Sequence, residues 1–483
     1  MASMKKKDNS RRKFIKQGLM ASSIIIVPRH VLGGCGYTAP SDQLNLAAIA
    51  CGGKGRSDIM NAAAGKSERV IALCDVHTRA KNGVSDTVKK FSKANFYQDF
   101  REMLDKEKDI DAVTIATPDH IHAPAAVRAM QQGMHVYIQK PLTHNIREAR
   151  MLTEMAREKK VVTQMGNQGA SNPYQVDIQE WINNGTIGKV SKVYVWTNRP
   201  VWPQGIRIPD AAPKQKPGNL NWDLWLGPAK KIPYTPGLHP FNWRGWWEYG
   251  TGALGDMGCH IIDIPFKALG LKYPTDVECS LGTVYRKMWT PEFLPESCPP
   301  SSMITLHFDP TPKNNTRLEM TWMDGGIRPP HPDLIPPDDD IGGPGSYNGI
   351  LIIGEKGIIS SDEKARSVKL YLEGEEPLEL PRVNSEPEYG HHQQWIKACR
   401  AGYDSPEHKA LTSSFDYAGP LTETVLMGNL AIRSYNLVKE GKKGQREFYG
   451  RKKLLWDGDQ MRITNLEEAN QFVRREYRPG WEI

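Results

Sequence analysis

Residues 250 to 260 read Gly-Thr-Gly-Ala-Leu-Gly-Asp-Met-Gly-Cys-His, joining side chains that move protons to a backbone that can bend. Glycines at 250, 252 and 255 suit a turn or the close approach of a ligand. A helix following them puts Asp256 and His260, at i and i+4, on one face. A carboxylate beside an imidazole fixes the ring's tautomer and supports its charged form, which is what general acid–base chemistry needs. The competing reading is structural: a carboxylate in a first helical turn and a satisfied histidine after it. No metal site is expected. Asp256, His260 and Asp263 have workable helical spacing, yet no HExxH pattern or Cys/His cluster completes a ligand set.

The elements that must position this pair lie upstream. Leu46-Ala-Ala-Ile-Ala-Cys51 is an apolar run entering a glycine-rich turn, Gly52-Gly53-Lys54-Gly55, and Arg69-Val-Ile-Ala-Leu-Cys74 reads as the next buried strand. Asp75 closes that strand, 20 positions after Gly55. Strand, glycine turn, helix, strand and acid is the order of a dinucleotide-binding unit. Glycine lets the backbone reach the pyrophosphate, and the helix N-terminus offers amide donors. Asp75 can accept from the adenosine ribose hydroxyls and would repel a 2′-phosphate, so NAD is favoured over NADP. Ala50 stands where the fingerprint has its first glycine, a change that costs little if φ stays negative there. The alternation continues through Asp111 to Thr117 and His135 to Ile138, with Thr117-Pro118, His122 and Gln139-Lys140-Pro141 at the strand ends. Polar residues at those ends imply a parallel sheet with its ligand at the carboxyl edge, where Lys140 becomes a functional candidate.

On these residues the chain resembles the Gfo/Idh/MocA oxidoreductase family, in the bacterial branch with an extended C-terminal domain. The resemblance runs from about residue 44 to the end, through the glycine turn, Thr117-Pro118 with His122, Lys140-Pro141, Gly166-Asn167-Gln168 and the Asp256-to-His260 element. It also takes in Phe415-Asp-Tyr-Ala-Gly-Pro-Leu421 and Tyr477-Arg-Pro-Gly-Trp481. It implies an α/β Rossmann domain over 44–165 and an α+β substrate and oligomerisation domain over 166–483, built on a large, mainly antiparallel, open-faced sheet. It further implies that Lys140 polarises the reacting oxygen and that His260 exchanges its proton, with Asp256 beside it. Thr117, Pro118, His122, Gln139 and Asn167 would join the glycine turn and Asp75 around the cofactor. The family's glutamate before Lys-Pro is Gln139 here, which keeps hydrogen bonding but lacks the charge that would raise the pKa of Lys140.

Residues 1–40 read as a twin-arginine export segment: Ser10-Arg11-Arg12-Lys13-Phe14 precedes an uncharged run from Gln17 to Pro28 that is too short to span a bilayer. Met1 to Arg29 holds eight Lys/Arg against one Asp, so +7 of the net +8 sits there and the basic balance does not imply nucleic acid. A periplasmic or exported location follows, with NAD held tightly because the free dinucleotide is scarce outside. Leu32-Gly-Gly-Cys35 resembles a lipobox that would anchor the protein to lipid, although Arg29 and His30 separate it from the apolar run. Seven scattered cysteines do not suggest a disulfide framework.

Beyond residue 165, alternating strands at Val190 to Trp196, Glu278 to Tyr285, Ser302 to Phe308, Arg317 to Trp322 and Gly349 to Ile353 predict an antiparallel sheet. Residues 309–348, rich in Pro, Gly and Asp, predict either a long loop over that sheet or a surface excursion. Seven of 13 tryptophans fall between Trp196 and Trp247, and His239, Trp243 and Arg244 become substrate candidates because aromatic faces stack on sugars. Tryptophans on an open sheet face also predict a homodimer or tetramer. The expected activity is NAD-dependent dehydrogenation of a secondary hydroxyl of a sugar or glycoside. Two alternatives stand beside it: an NAD-dependent glycosidase working by oxidation and elimination with an internally recycled cofactor, and a non-catalytic sugar-binding module.

Overall fold

Six short strands form one parallel sheet: β1 (Asn45–Ile49), β2 (Arg69–Cys74), β3 (Asn95–Tyr97), β4 (Ala112–Ile115), β5 (His135–Ile138) and β6 (Thr163–Met165). The order β3-β2-β1-β4-β5-β6 reverses between β1 and β4, the place where such sheets open a crevice at their carboxyl ends. Helices cover both faces, so β4 is buried along its whole length and its sequence is a continuous apolar run rather than an alternation. Two of those helices bear on function: α1 (Gly53–Ala62), which leaves the glycine turn, and α2 (Asp119–Gln131), which leaves Thr117-Pro118.

The computed structural model describes residues 43–65, 68–78, 83–382, 388–441 and 446–483. The proposed export segment and Cys35 lie outside the described residues. From Leu44 to Ile483 the chain is one compact unit.

The second sheet has ten strands, centred on β7 (Val190–Trp196). Of its nine neighbouring pairs, β7 with Leu318–Met323 is parallel and the rest are antiparallel. Strand alternation sorts its side chains. Val193, Val195, Ile304 and Leu306 join the main core, whereas Trp196 and Met323 point the other way. There the 324–348 loop lies down on them, burying Ile335 and Ile341, and the Trp196 indole donates to Ser346 O at 2.9 Å. The covering loop is therefore the observed alternative. Trp196 is buried under the loop and Trp322 in the core, so neither ring is offered on an open sheet face.

Helices α3 (Gly252–Ile261) and α4 (Phe415–Tyr435) pack between the two sheets. They touch at glycines. A Cβ on Gly258 would meet Val425 at 3.0 Å, and one on Gly428 would meet Leu254 at 2.4 Å. The Arg150–Glu423 pair at 2.8 Å and the Tyr477 hydroxyl donating to Glu148 at 2.7 Å tie the C-terminal third back onto the first sheet's helices.

Candidate active site

The glycine turn is shaped by its own backbone. A Cβ on Gly55 would lie 1.8 Å from Ala50 O, so only glycine fits there, and Gly53 has φ +52. Ala50 itself has φ +64, contrary to the negative φ expected for it. That conformation crowds Cβ against the following carbonyl and costs about 1 kcal/mol. Ala50→Gly is expected to raise stability by about 0.5–1 kcal/mol, read as a higher denaturant midpoint at unchanged slope. An unshifted midpoint would mean the turn is not strained. The amide ends of α1 then face a cavity of about 580 Å³ that runs between the two sheets.

Gly52, Gly53, Lys54, Asp75, Thr117, Pro118, Gln139 and Lys140 line this cavity from the first sheet, and His239, Trp243, Arg244 and His260 line it from the C-terminal half. Asp75 accepts from the backbone N–H of Gly52 (3.2 Å) and of His77 (3.0 Å), while burial pushes its pKa up to about 6. Gln139 is held by Asp58 on α1: Gln139 Nε2 donates to Oδ2 at 2.9 Å, and a Cβ on Gly166 would strike that amide at 2.6 Å. Asp58 also pairs with Lys54 (3.1 Å) and faces His392 Nε2 (3.1 Å). Burial opposes its ionisation, but His392 and Lys54 outweigh that and hold the carboxyl below its usual range. The buried negative charge near Lys-Pro thus comes from Asp58, and a glutamate at position 139 would set two carboxylates against each other.

His122 and Asn167 do not line the cavity. His122 is buried with Nδ1 2.8 Å from Pro141 O and Nε2 2.9 Å from Thr117 O, so it braces the two strand-end loops from behind. Burial lowers its pKa to about 4, leaving a neutral ring with one N–H to donate. Asn167 is buried and accepts from the Ser413 hydroxyl. Neighbouring Gln168 lines the wall instead. Cofactor contact was expected of both residues from a resemblance in sequence alone, which does not distinguish a lining side chain from one that supports the lining.

Opposite the turn, α3 presents Asp256 and His260, but they are not hydrogen-bonded to each other. Lys140 Nζ donates to Asp256 Oδ1 (2.9 Å) and to Asp256 O (2.7 Å), and Arg244 Nε reaches the same Oδ1 at 3.1 Å. Burial works against the carboxylate, but the two cations outweigh it and keep Asp256 ionised far below the usual range. The acid therefore orients lysine and arginine, in place of the expected histidine. His260 Nδ1 is buried without a hydrogen-bond partner, which leaves Nε2 as the nitrogen open to the cavity. Burial and the Lys140 ammonium push this ring well below its usual pKa, so it stands neutral and able to accept a proton.

The glycines of the opening segment serve the chain rather than a ligand. A Cβ on Gly250 would lie 2.6 Å from Arg244 Cα, one on Gly255 would lie 1.8 Å from Thr251 Oγ1, and Gly252 has φ +66. Thr251 Oγ1 donates to Asp119 Oδ2 at 2.6 Å, and Asn429 Nδ2 donates to Thr251 O at 2.9 Å. Burial pushes Asp119 up to about 6 despite Arg244 and Thr251. Arg244 lies over the Trp243 ring at 4.2 Å, so that indole face supports arginine and is not offered to a sugar. Trp225, which also lines the cavity and stacks on Trp222 at 4.5 Å, escaped sequence analysis because nothing in its local pattern separates a lining tryptophan from a core one. Among the described residues no group of three or more His, Cys, Asp or Glu is arranged to hold a metal ion.

Two family models match the chain: an oxidoreductase family model with NAD-binding Rossmann fold over residues 44–167, and the C-terminal alpha/beta domain model of the same family over 175–280. The chain belongs to the Gfo/Idh/MocA oxidoreductase family. It is 24% identical over 209 residues to levoglucosan dehydrogenase of Pseudarthrobacter phenanthrenivorans, covering 43% of each chain. It is 33% identical over 92 residues to scyllo-inositol 2-dehydrogenase (NAD(+)) of Bacillus subtilis, covering 19% of this chain and 27% of that one. The chain thus matches less than half the length of these two curated relatives. A solved levoglucosan dehydrogenase, in complex with NADH and L-sorbose, superposes with a TM-score of 0.55 at 17% identity over 81% of this chain and 96% of that one, a likeness of fold.

Proposed function

We propose that this protein is an exported, NAD-dependent oxidoreductase that dehydrogenates a secondary hydroxyl of a sugar or glycoside. The observation that carries the reading is one cavity lined by a dinucleotide-type glycine turn and Asp75 along one wall and by Lys140, Arg244 and neutral His260 along another, with Asp256 pairing both cations. The residues fit the cofactor: the α1 amide end and the close-packed glycines suit a pyrophosphate, and Asp75 suits a ribose diol. When bound there, a nicotinamide supplies a hydride acceptor. The chain's own residues do the rest. Lys140 spends two of its three ammonium donors on Asp256 and keeps one for the substrate oxygen, where it stabilises developing negative charge. His260, through Nε2, takes the hydroxyl proton as the carbinol carbon gives up its hydride and becomes a carbonyl. Arg244 fixes Asp256 and adds a second cation against a polyhydroxylated substrate. The named activities of the relatives, on levoglucosan and scyllo-inositol, agree with a polyol substrate. Export rests on Arg11-Arg12 and the apolar run after them.

One experiment tests this. The protein is purified, its retained nucleotide is identified by mass spectrometry, and it is incubated with a panel of glycosides and cyclitols under a carbonyl trap. NAD(H) and at least one trapped keto-sugar are expected. A cleaved glycoside without a trapped ketone would favour oxidation–elimination, and no nucleotide with no product would leave a sugar-binding module.

A further inference from the structure

Segments far apart in the chain meet beside Asp75. Thr78 N donates to Asn219 O (3.1 Å) and Asn221 N to Val76 O (2.8 Å), so the tryptophan-rich segment pairs with the chain leaving β2. Between them sits His77, which no sequence motif singled out. Its backbone N–H donates to Asp75 Oδ1 at 3.0 Å, its Nδ1 lies 3.0 Å from His239 Nε2, and its Nε2 lies 3.2 Å from Asn219 Oδ1.

Hydrogen-bond inventory fixes the protons. Asn219 Oδ1 only accepts, so His77 carries its proton on Nε2 and leaves Nδ1 bare. That bare nitrogen accepts a hydrogen bond from His239 Nε2–H, which leaves His239 Nδ1 as an acceptor without a partner among the described residues. His239 and Asp75 line the same cavity. In the sheet order, β2 lies three strands from β5, roughly 14 Å at the usual strand spacing. His239, tied to the β2 end, therefore stands apart from Lys140 at the β5 end, although Arg244, five residues later in the chain, reaches Asp256 beside Lys140.

Two acceptors, a carboxylate and a bare imidazole nitrogen, then face one end of the cavity. A ligand there must bring two donors. A vicinal diol does so, whereas a phosphate monoester brings negative charge and accepts. We propose that His239, held in one tautomer by His77 and Asn219, accepts a hydrogen bond from the adenosine ribose diol of the bound dinucleotide and helps to reject its 2′-phosphorylated form. The assignment rests on the cavity being a dinucleotide site, and it moves His239 from the substrate to the cofactor.

The test measures NADH and NADPH affinity, and the NADH dissociation rate, by fluorescence in the wild type, His239→Leu, His77→Leu and Asn219→Asp. Loss of one hydrogen bond should weaken NADH about 3- to 10-fold in both leucine variants and speed its release, with NADPH affected less. Asn219→Asp, which keeps the acceptor, should stay near wild type. Nitrogen-15 spectra of the histidine-labelled wild type should show Nε2–H with bare Nδ1 on both rings, a readout that needs no variant to fold. Unchanged NADH binding and release in His239→Leu, or a proton on His239 Nδ1, would overturn the proposal while leaving the dinucleotide reading standing. A wild type that binds neither nucleotide would overturn both.

Discussion

Lys140→Met is expected to lower turnover by about two to four orders of magnitude, the scale on which oxyanion-type stabilisation is lost. The lysine does two jobs that this variant removes together. It offers the one ammonium donor not used on Asp256, and it supplies one of the two cations that keep that buried carboxylate ionised. The second loss is structural: the side chains are 15% and 12% exposed, and a buried pair broken on one side destabilises by about 3–5 kcal/mol. A lower melting temperature is therefore expected as well, and it must be separated from chemistry. Lys140→Met combined with Asp256→Leu removes the half-paired carboxylate but leaves Arg244 without its ion pair, and should recover part of the stability while recovering none of the rate. Asp256→Asn alone should cost less activity than Lys140→Met, because Asp256 orients its partners and does not carry the proton. Single-turnover hydride transfer within tenfold of wild type in Lys140→Met would take the lysine out of the mechanism.

Four strands of the first sheet, β1, β2, β4 and β5, were legible as apolar runs, with Gly55 and Asp75 at the spacing a dinucleotide turn needs; β3 and β6, three residues each, were too short to register. The second was legible only in its centre. Gly357–Ser361 and Val368–Leu372 pair antiparallel in its outer part, yet segments this short give alternation too few residues to register. In the site, residue types were easier to read than partnerships. Asp256 and His260 share a helix, and i,i+4 spacing suggested a pair; the stronger partners for the carboxylate, Lys140 and Arg244, come from positions 116 and 12 residues away and cannot be found by local spacing. Asp58 is the same case in reverse. Nothing near Gln139 in sequence shows that a carboxylate 81 residues earlier stands against its amide. His77 and Asp119 were passed over because each is ordinary in its own neighbourhood and distinctive only by what the fold brings to it.

His260→Ala is expected to cut turnover on a similar scale, about two to four orders of magnitude, with nucleotide retention changed little because the ring lies across the cavity from the glycine turn. The pH profile gives the sharper check. A histidine with its ordinary pKa near 6.5 would place the acid limb of kcat/KM there. Burial and Lys140 push His260 well below that value, so the imidazole stays neutral and its own limb moves to lower pH. The group in this part of the cavity that titrates near neutrality is Asp119, pushed up to about 6 by burial. Its ionisation adds a negative charge beside Arg244 and Lys140 and makes His260 a better base, so activity should rise with pH through about 6. Asp119→Asn should erase that limb. The same carboxyl links to stability with a fixed sign. Its folded pKa of about 6 lies above the ordinary aspartate value near 4, so between about 4 and 6 the native state holds a proton that the unfolded chain has lost. Stability from this group is full below that window and falls as pH rises through it, and Asp119→Asn should flatten the slope whether or not a substrate is known. An acid limb that survives Asp119→Asn near pH 6 and disappears in His260→Ala would return the titration to the histidine. Near-wild-type turnover in His260→Ala would leave Asp256 and His260 as helix architecture, the structural alternative that their spacing allowed from the start.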